Sequence, residues 1–244
     1  MTSNLAKRVI IALIGAPLIL WLIKLGGHYF FGLVFLIALA SAYEFRSIQK
    51  AKGDDPFALG VLLASATILA NFYYSFIPLG ELIISTFLVL VTVELFRQRG
   101  SPIHNLGSAL LGIFYLSLSF GTLIALRQSE TSGYFVMLIF LCVWAADTFA
   151  YFGGRFLGGK IIERKFFPRI SPKKTWEGFF VGLIGTVLVA YFFHQGVLSA
   201  EIRQKDSLTV GILIGLFGPI GDLVESMFKR DSGLKDSSGI IPGH

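Results

Sequence analysis

One cysteine in 244 residues, Cys142, excludes an intrachain disulfide and leaves the redox compartment unread. Charge is scarce, with Asp, Glu, Lys and Arg together making 15% of the chain. A soluble domain of this size needs far more polar surface to cover its core. Sustained period-two alternation is missing, which argues against a membrane β-barrel. Internal repeats and low-complexity linkers are missing as well. After Lys7 and Arg8 comes an apolar run from Val9 to Ile23, but no small-residue cleavage site followed by a polar region. That run is therefore expected to be a retained first span rather than a removed signal.

What is present is apolar sequence: 54% of residues are hydrophobic and the mean hydropathy is +0.72. A membrane helix needs roughly 20 apolar residues. The apolar segments fall near 6–24, 27–45, 57–79, 82–96, 106–126, 134–154, 176–199 and 208–228. Backbone groups in a bilayer core find no water, so these segments are expected to be helices. The predicted architecture is all-α, a polytopic helical bundle with about eight transmembrane helices. Residues 1–244 are read as one integral-membrane domain, with N-terminal membrane helices over 1–133 and catalytic helices and loops over 134–244.

Placing the N-terminus in the cytoplasm puts 17 of the 21 Lys and Arg residues on the inner side. Seven of them lie between Arg155 and Lys174, whereas only Lys24, Arg127, Arg203 and Lys205 fall outside. The expected location is the cell (inner) membrane, with the active site cytoplasmic. Basic residues that follow membrane topology in this way exclude nucleic acid as a partner. In the first half, Glu44 and Glu94 lie at cytoplasmic span ends and are expected to snorkel or to form local ion pairs. Tyr29, Phe30, Phe31, Tyr73, Tyr74 and Phe76 are read as interface belts or lipid-facing packing.

Three blocks in the last hundred residues gather ionisable groups where a lipid headgroup would sit. The first runs from Trp144 to Gly154 and holds Asp147 and Tyr151 on one helix face. An aspartate inside a span costs roughly 2.5–3.5 kcal/mol on insertion scales and so needs a partner, water or a metal. The reading favoured is a polar, water-accessible site; the competing one is that Asp147 pairs with a basic residue of a neighbouring helix and fixes packing. The second block is Ser171-Pro-Lys173-Lys174-Thr175-Trp-Glu177-Gly178, read as a loop entering a helix. Ser171 or Thr175 could cap that helix, and Glu177 in its first turn suits the dipole. Lys173 and Lys174 beside a helix start form a phosphate site; the competing reading is a basic loop held to anionic headgroups.

The third block is Gly218-Pro219-Ile-Gly221-Asp222-Leu-Val-Glu225-Ser226-Met-Phe-Lys229-Arg230. Asp222, Glu225, Ser226 and Lys229 share a helix face at i, i+3, i+4 and i+7. Carboxylates there could hold Mg²⁺ for phosphate chemistry, or the face is an amphipathic helix end with an internal ion pair. Pro219 and its flanking glycines are expected to break the helix at membrane depth. Gly178/Gly182 and Gly211/Gly215 have the spacing of close helix contacts, which leaves open intrachain packing or a homodimer.

Ser226-x-x-Lys229-Arg230, then Lys235-Asp236, then Pro242-Gly243-His244 resembles the signature of the phosphatidate cytidylyltransferase family. The Gly221-Asp222-Leu-Val-Glu225-Ser226 lead-in, the Ser171-to-Gly178 block and Trp144-Ala-Ala-Asp147-x-x-Ala-Tyr151 are also similar to that family. The resemblance covers most of residues 140–244. In the family the signature continues through Gly-Gly, an Asp-Arg-x-Asp group that belongs to the metal site, and a final helix. This sequence stops at His244, so a fragment, a truncated form or a degenerate copy is expected.

The resemblance implies CTP and phosphatidate as substrates, CDP-diacylglycerol and diphosphate as products, and Mg²⁺ or another divalent cation as cofactor. It implies Asp222, Lys229, Arg230, Lys235 and Asp236 as catalytic residues and Ser171, Lys173, Lys174 and Ser226 as substrate-binding. Asp222, Glu225 and Asp147 are the expected metal ligands. Two other readings stand beside it: a CTP-dependent lipid-alcohol kinase, and a transporter with Asp147 and Asp222 on an ion path.

Overall fold

The computed structural model describes residues 2–234, with side chains from residue 13 onward. All eight apolar segments form helices: α1 Thr2–Leu25, α2 Gly27–Lys52, α3 Ala58–Tyr74, α4 Leu79–Leu95, α5 Pro102–Gln128, α6 Tyr134–Leu157, α7 Trp176–Phe193 and α8 Gln204–Asp231. A π-helical turn, His194–Leu198, extends α7. The protein is a polytopic membrane helical protein. Among the described residues, five stretches are long and apolar enough to cross a bilayer: α2, α5, α6, Trp176–Leu198 and α8. Helices α3 and α4 have 17 residues each, a rise of about 25 Å against a hydrocarbon core of about 30 Å.

The chain forms two compact units, the second being Tyr134–Arg230 and the first the described sequence on either side of it. In the first, α3, α4 and α5 share a core of Val61, Ile68, Leu82, Leu90, Ala109 and Ile113, and α2 packs against α3 and α5. Gly112 and Gly121 on α5 admit the rings of Phe45 and Phe72, which a Cβ would meet within 3 Å. Gly53 ends α2 at φ +101 and donates to the carbonyls of Gln49 and Lys50, a left-handed cap that glycine adopts without strain. The expected aromatic belt divides: Tyr29, Tyr74 and Phe76 are exposed, but Phe30 is a core residue at 1% exposure. It sits one position after Tyr29, about 100° round the helix, and so faces inward. Phe31 stacks on Tyr73 at 4.5 Å.

Two polar staples hold this unit. Glu94 is buried and accepts from Arg97 Nη1 at 2.8 Å and Asn105 Nδ2 at 2.7 Å. This is the local ion pair expected for Glu94, made within a wider network. Arg97 Nη2 donates to Asp55 O at 2.8 Å, and Asp55 N donates to Asn105 Oδ1 at 3.0 Å. At another turn, buried Arg127 donates through Nε to Ile23 O at 2.7 Å and through Nη1 to Glu130 O at 2.9 Å.

In the second unit α6 packs along α7, and small residues set the spacing. A Cβ on Gly178 would lie 2.8 Å from Ala150 O, and one on Gly182 would lie 3.1 Å from Ala146 O. Gly211 and Gly215 meet Thr186, Ala190 and Leu183 of α7 in the same way. Both glycine pairs therefore serve packing within the chain. Two expectations are corrected here. The Ser171 block is not a loop, because Lys165–Phe167 (β1) pairs antiparallel with Ser171–Thr175 (β2). Pro219 does not break α8, which runs through it. The proline removes one N–H from the ladder, and the helix absorbs that single loss.

Candidate functional site

Within the second unit a cavity of about 440 Å³ opens between α6, β2, the start of α7 and α8. Its wall includes Asp147, Tyr151 and Arg155 from α6, Lys173 and Lys174 from β2, and Pro219 and Asp222 from α8. Local structure explains each placement. Asp147, Tyr151 and Arg155 follow at intervals of four, so one face of α6 carries all three. Arg155 Nη1 donates to Tyr151 Oη at 2.8 Å, which holds the guanidinium along that face.

The hairpin β1–β2 delivers the two lysines. Phe166 anchors it through the aromatic side chains of α7, with ring centroids 4.6 Å from Trp176 and 5.0 Å from Phe179. Of the two caps that the sequence allows, Thr175 is the one used: its Oγ1 accepts from Gly178 N at 3.1 Å. Thr175 and Gly178 also line the cavity, so the helix start forms part of its wall.

Lys174 reaches across to α8. Its Nζ lies 2.6 Å from Asp222 Oδ2 and donates to Pro219 O at 3.2 Å. The Asp222 side chain is 55% exposed, so solvent screens the pair and it adds less than about 1 kcal/mol to stability. An ion pair this weak yields readily to a better anion or cation.

The other expected residues lie farther along α8. Glu225 pairs with Lys229 at 2.5 Å, and neither lines the cavity. Ser226 and Arg230 are on the same helix and Ser171 begins β2, all three outside the cavity lining. Lys235 and Asp236 fall outside the described residues. Among the described residues no group of three or more His, Cys, Asp or Glu is gathered closely enough to hold a metal alone. Asp147 and Asp222, both lining the cavity, nevertheless fit a hard cation, since Mg²⁺ is commonly bound by one or two carboxylates plus substrate phosphates.

Sequence reasoning missed Phe166, Phe179 and Arg155 as cavity residues; Glu177 does lie in the first turn of α7 as expected, but its second task was not foreseen. Glu177 faces inward, and its Oε1 accepts backbone N–H groups of Gly159, Ile161 and Ile162. The double glycine Gly158-Gly159 was the available signal, since such pairs mark tight turns whose amides need an acceptor.

Residues 6–244 match a family model described as the cytidylyltransferase family. The chain belongs to that family. Among its relatives, a phosphatidate cytidylyltransferase of Synechocystis sp. is 33% identical, over 98% of this chain and 88% of the relative. Proteins of the same name from Bacillus subtilis and Brucella abortus are 30% and 32% identical. Those matches each cover 99% of this chain, and 90% and 86% of the relatives. As a cytidylyltransferase-family member, the chain is similar to these relatives along both units, not only in the four blocks that carry the sequence resemblance.

Proposed function

We propose that this chain is a phosphatidate cytidylyltransferase, joining the cytidylyl group of CTP to phosphatidate to give CDP-diacylglycerol and diphosphate. The observation that carries the reading is the cavity in which two lysines face two aspartates at the start of a helix. The phosphate oxygen of phosphatidate attacks the α-phosphorus of CTP, the new O–P bond forms, and the bond to the β-phosphate breaks. The nucleophile is already an anion, so no strong base is needed. The obstacle is repulsion between two polyanions.

Lys173 and Lys174 answer that obstacle by holding phosphate oxygens. Lys174 exchanges its contact with Asp222 for a substrate phosphate, and the pair keeps it pointed into the cavity beforehand. The N–H groups at the start of α7 add a partial positive charge. Ser171 and Ser226 are hydroxyl donors, and Lys229 and Arg230 extend the cationic surface along α8. Lys235 and Asp236 keep their catalytic assignment from the family resemblance. Asp147 and Asp222 would hold Mg²⁺, with Glu225 as a further ligand released from Lys229. The ion would supply electrostatic screening of the triphosphate. Alignment of the two reactants, rather than covalent catalysis, supplies the rate.

In the membrane we place all eight helices as spans, α3 and α4 tilting little, with the N-terminus and cavity cytoplasmic. CTP then enters from water and the lipid from within the leaflet. The test is CTP labelled in the cytosine ring, supplied with phosphatidate and Mg²⁺. Label in the lipid with matching diphosphate release is expected. Transfer of the γ-phosphate alone would indicate a lipid kinase and overturn the reading.

A further inference from the structure

Glu177 is the second residue of α7, yet it is 4% exposed. An acid that only complemented the helix dipole would remain in solvent, because burial of a charge is unfavourable without partners. Its partners are specific. Oε1 accepts from Gly159 N at 2.9 Å, Ile161 N at 3.2 Å and Ile162 N at 2.9 Å. Gly159 has φ +78, a value that glycine adopts easily and that turns these amides inward. Three N–H groups converging on one point make an anion nest, and the chain fills it with its own carboxylate. Oε2 is buried with no hydrogen-bond partner among the described residues.

The connectivity gives this contact its consequence. The turn at 158–162 directly follows α6, which carries Asp147, Tyr151 and Arg155. Glu177 follows β2, which carries Lys173 and Lys174, by two residues. One side chain thus ties the end of α6 to the junction of β2 with α7. The joint leaves little slack: a Cβ on Gly178 would lie 2.8 Å from Ala150 O and 3.3 Å from Gly154 N. Ala150, Gly154, Thr175 and Gly178 all line the cavity, while Glu177 does not.

We propose that Glu177 is a positioning residue for cytidylyl transfer: its grip on the 158–162 turn fixes the α6 wall of the cavity, with Asp147, against the β2 wall, with the two lysines. The proposal rests on the phosphatidate cytidylyltransferase reading. It predicts a defect in alignment rather than in occupancy. Substrates still bind, because every cavity group remains, but the reacting atoms no longer line up.

The experiment uses the full chain purified in detergent micelles, with Glu177→Ala and Glu177→Gln compared with the parent. Amide exchange of residues 158–163 is read alongside kcat and KM for CTP. In E177A the turn exchanges about tenfold faster or more, as expected when a local clamp is lost. kcat falls about 100-fold, the effect of a displacement near 1 Å. KM for CTP stays within about threefold, the pattern of a lost transition-state contribution. E177Q keeps an acceptor oxygen and recovers kcat to within about tenfold of the parent.

A folded E177A with parental kcat overturns the proposal, as does an E177Q no better than E177A. Should E177A fail to fold, Glu177→Asp keeps the charge but falls short of the turn, and parental kcat in that variant overturns it equally. A parent that transfers no cytidylyl group overturns the functional reading instead. Exchange in E177A then judges the clamp alone, and an unchanged rate sinks it.

Discussion

Replacing Asp222 by asparagine separates the chemistry of the cavity from the stability of the fold. The Asp222 side chain is 55% exposed, so solvent screens the ion pair from the carboxylate side, although Lys174 is only 24% exposed. Such pairs contribute below about 1 kcal/mol, and the amide oxygen can still accept from Lys174. For a chain of this size that bounds the change in unfolding temperature at about 2–4 °C. Activity should respond differently. An electrostatic contact aimed at charge developing in the transition state is worth about 10²- to 10³-fold in kcat. D222N is therefore expected to unfold close to the parent temperature in detergent while diphosphate release from CTP falls by at least about 100-fold. The assay is continuous diphosphate release with phosphatidate and Mg²⁺, with lipid-incorporated cytosine label as the second readout. Turnover near the parental rate in folded D222N would remove Asp222 from the reacting centre. An equal loss of stability and activity would make the Lys174–Asp222 pair a packing device instead.

Three further outcomes follow from particular contacts. Gly178→Ala places a methyl group 2.8 Å from Ala150 O, and overpacking against backbone should destabilise by about 1–3 kcal/mol, read as a lower unfolding temperature. Glu94→Ala leaves Arg97 and Asn105 without their shared acceptor and should cost about 3 kcal/mol, with kcat of the surviving folded protein unchanged. Chelation of divalent cations should suppress diphosphate release by about 100-fold or more, with full recovery on adding Mg²⁺ and no change in helix content by circular dichroism; full turnover in excess chelator would dismiss the metal assignment.

The helices were legible because bilayer-length apolar runs admit one backbone solution, and even α3 and α4 stand where hydropathy places them. Asp147, Lys173, Lys174 and Asp222 were legible as a group because charge is scarce in this chain, so each charged residue beside a span invites a reason. The hairpin was not legible. Ser-Pro-Lys-Lys-Thr has no β-branched alternation, and its strand character comes from pairing with Lys165–Phe167 and from the seat of Phe166 on α7. The grip of Glu177 on the 158–162 turn was hidden for a related cause: its partners are backbone amides, and backbone amides look alike in every sequence.

Exposure separates the ionic contacts that build this molecule from those available for chemistry. Glu94 and Arg97 have side chains 5% and 17% exposed, and Glu94 also takes a donor from Asn105, so removing Arg97 leaves a buried carboxylate without its cation. Lys174–Asp222 and Glu225–Lys229 instead each keep one carboxylate more than half exposed, at 55% and 58%. Opening such a pair exposes nothing that water cannot satisfy, so a phosphate or a cation can displace a partner at little free energy. Had the cavity been lined by pairs as closed as Glu94–Arg97, ligand binding would first have to break a buried network worth several kcal/mol. The half-open pairs on α8 hold cations and carboxylates apart from one another's full strength, which is the condition a site needs to exchange internal contacts for those of two polyanions.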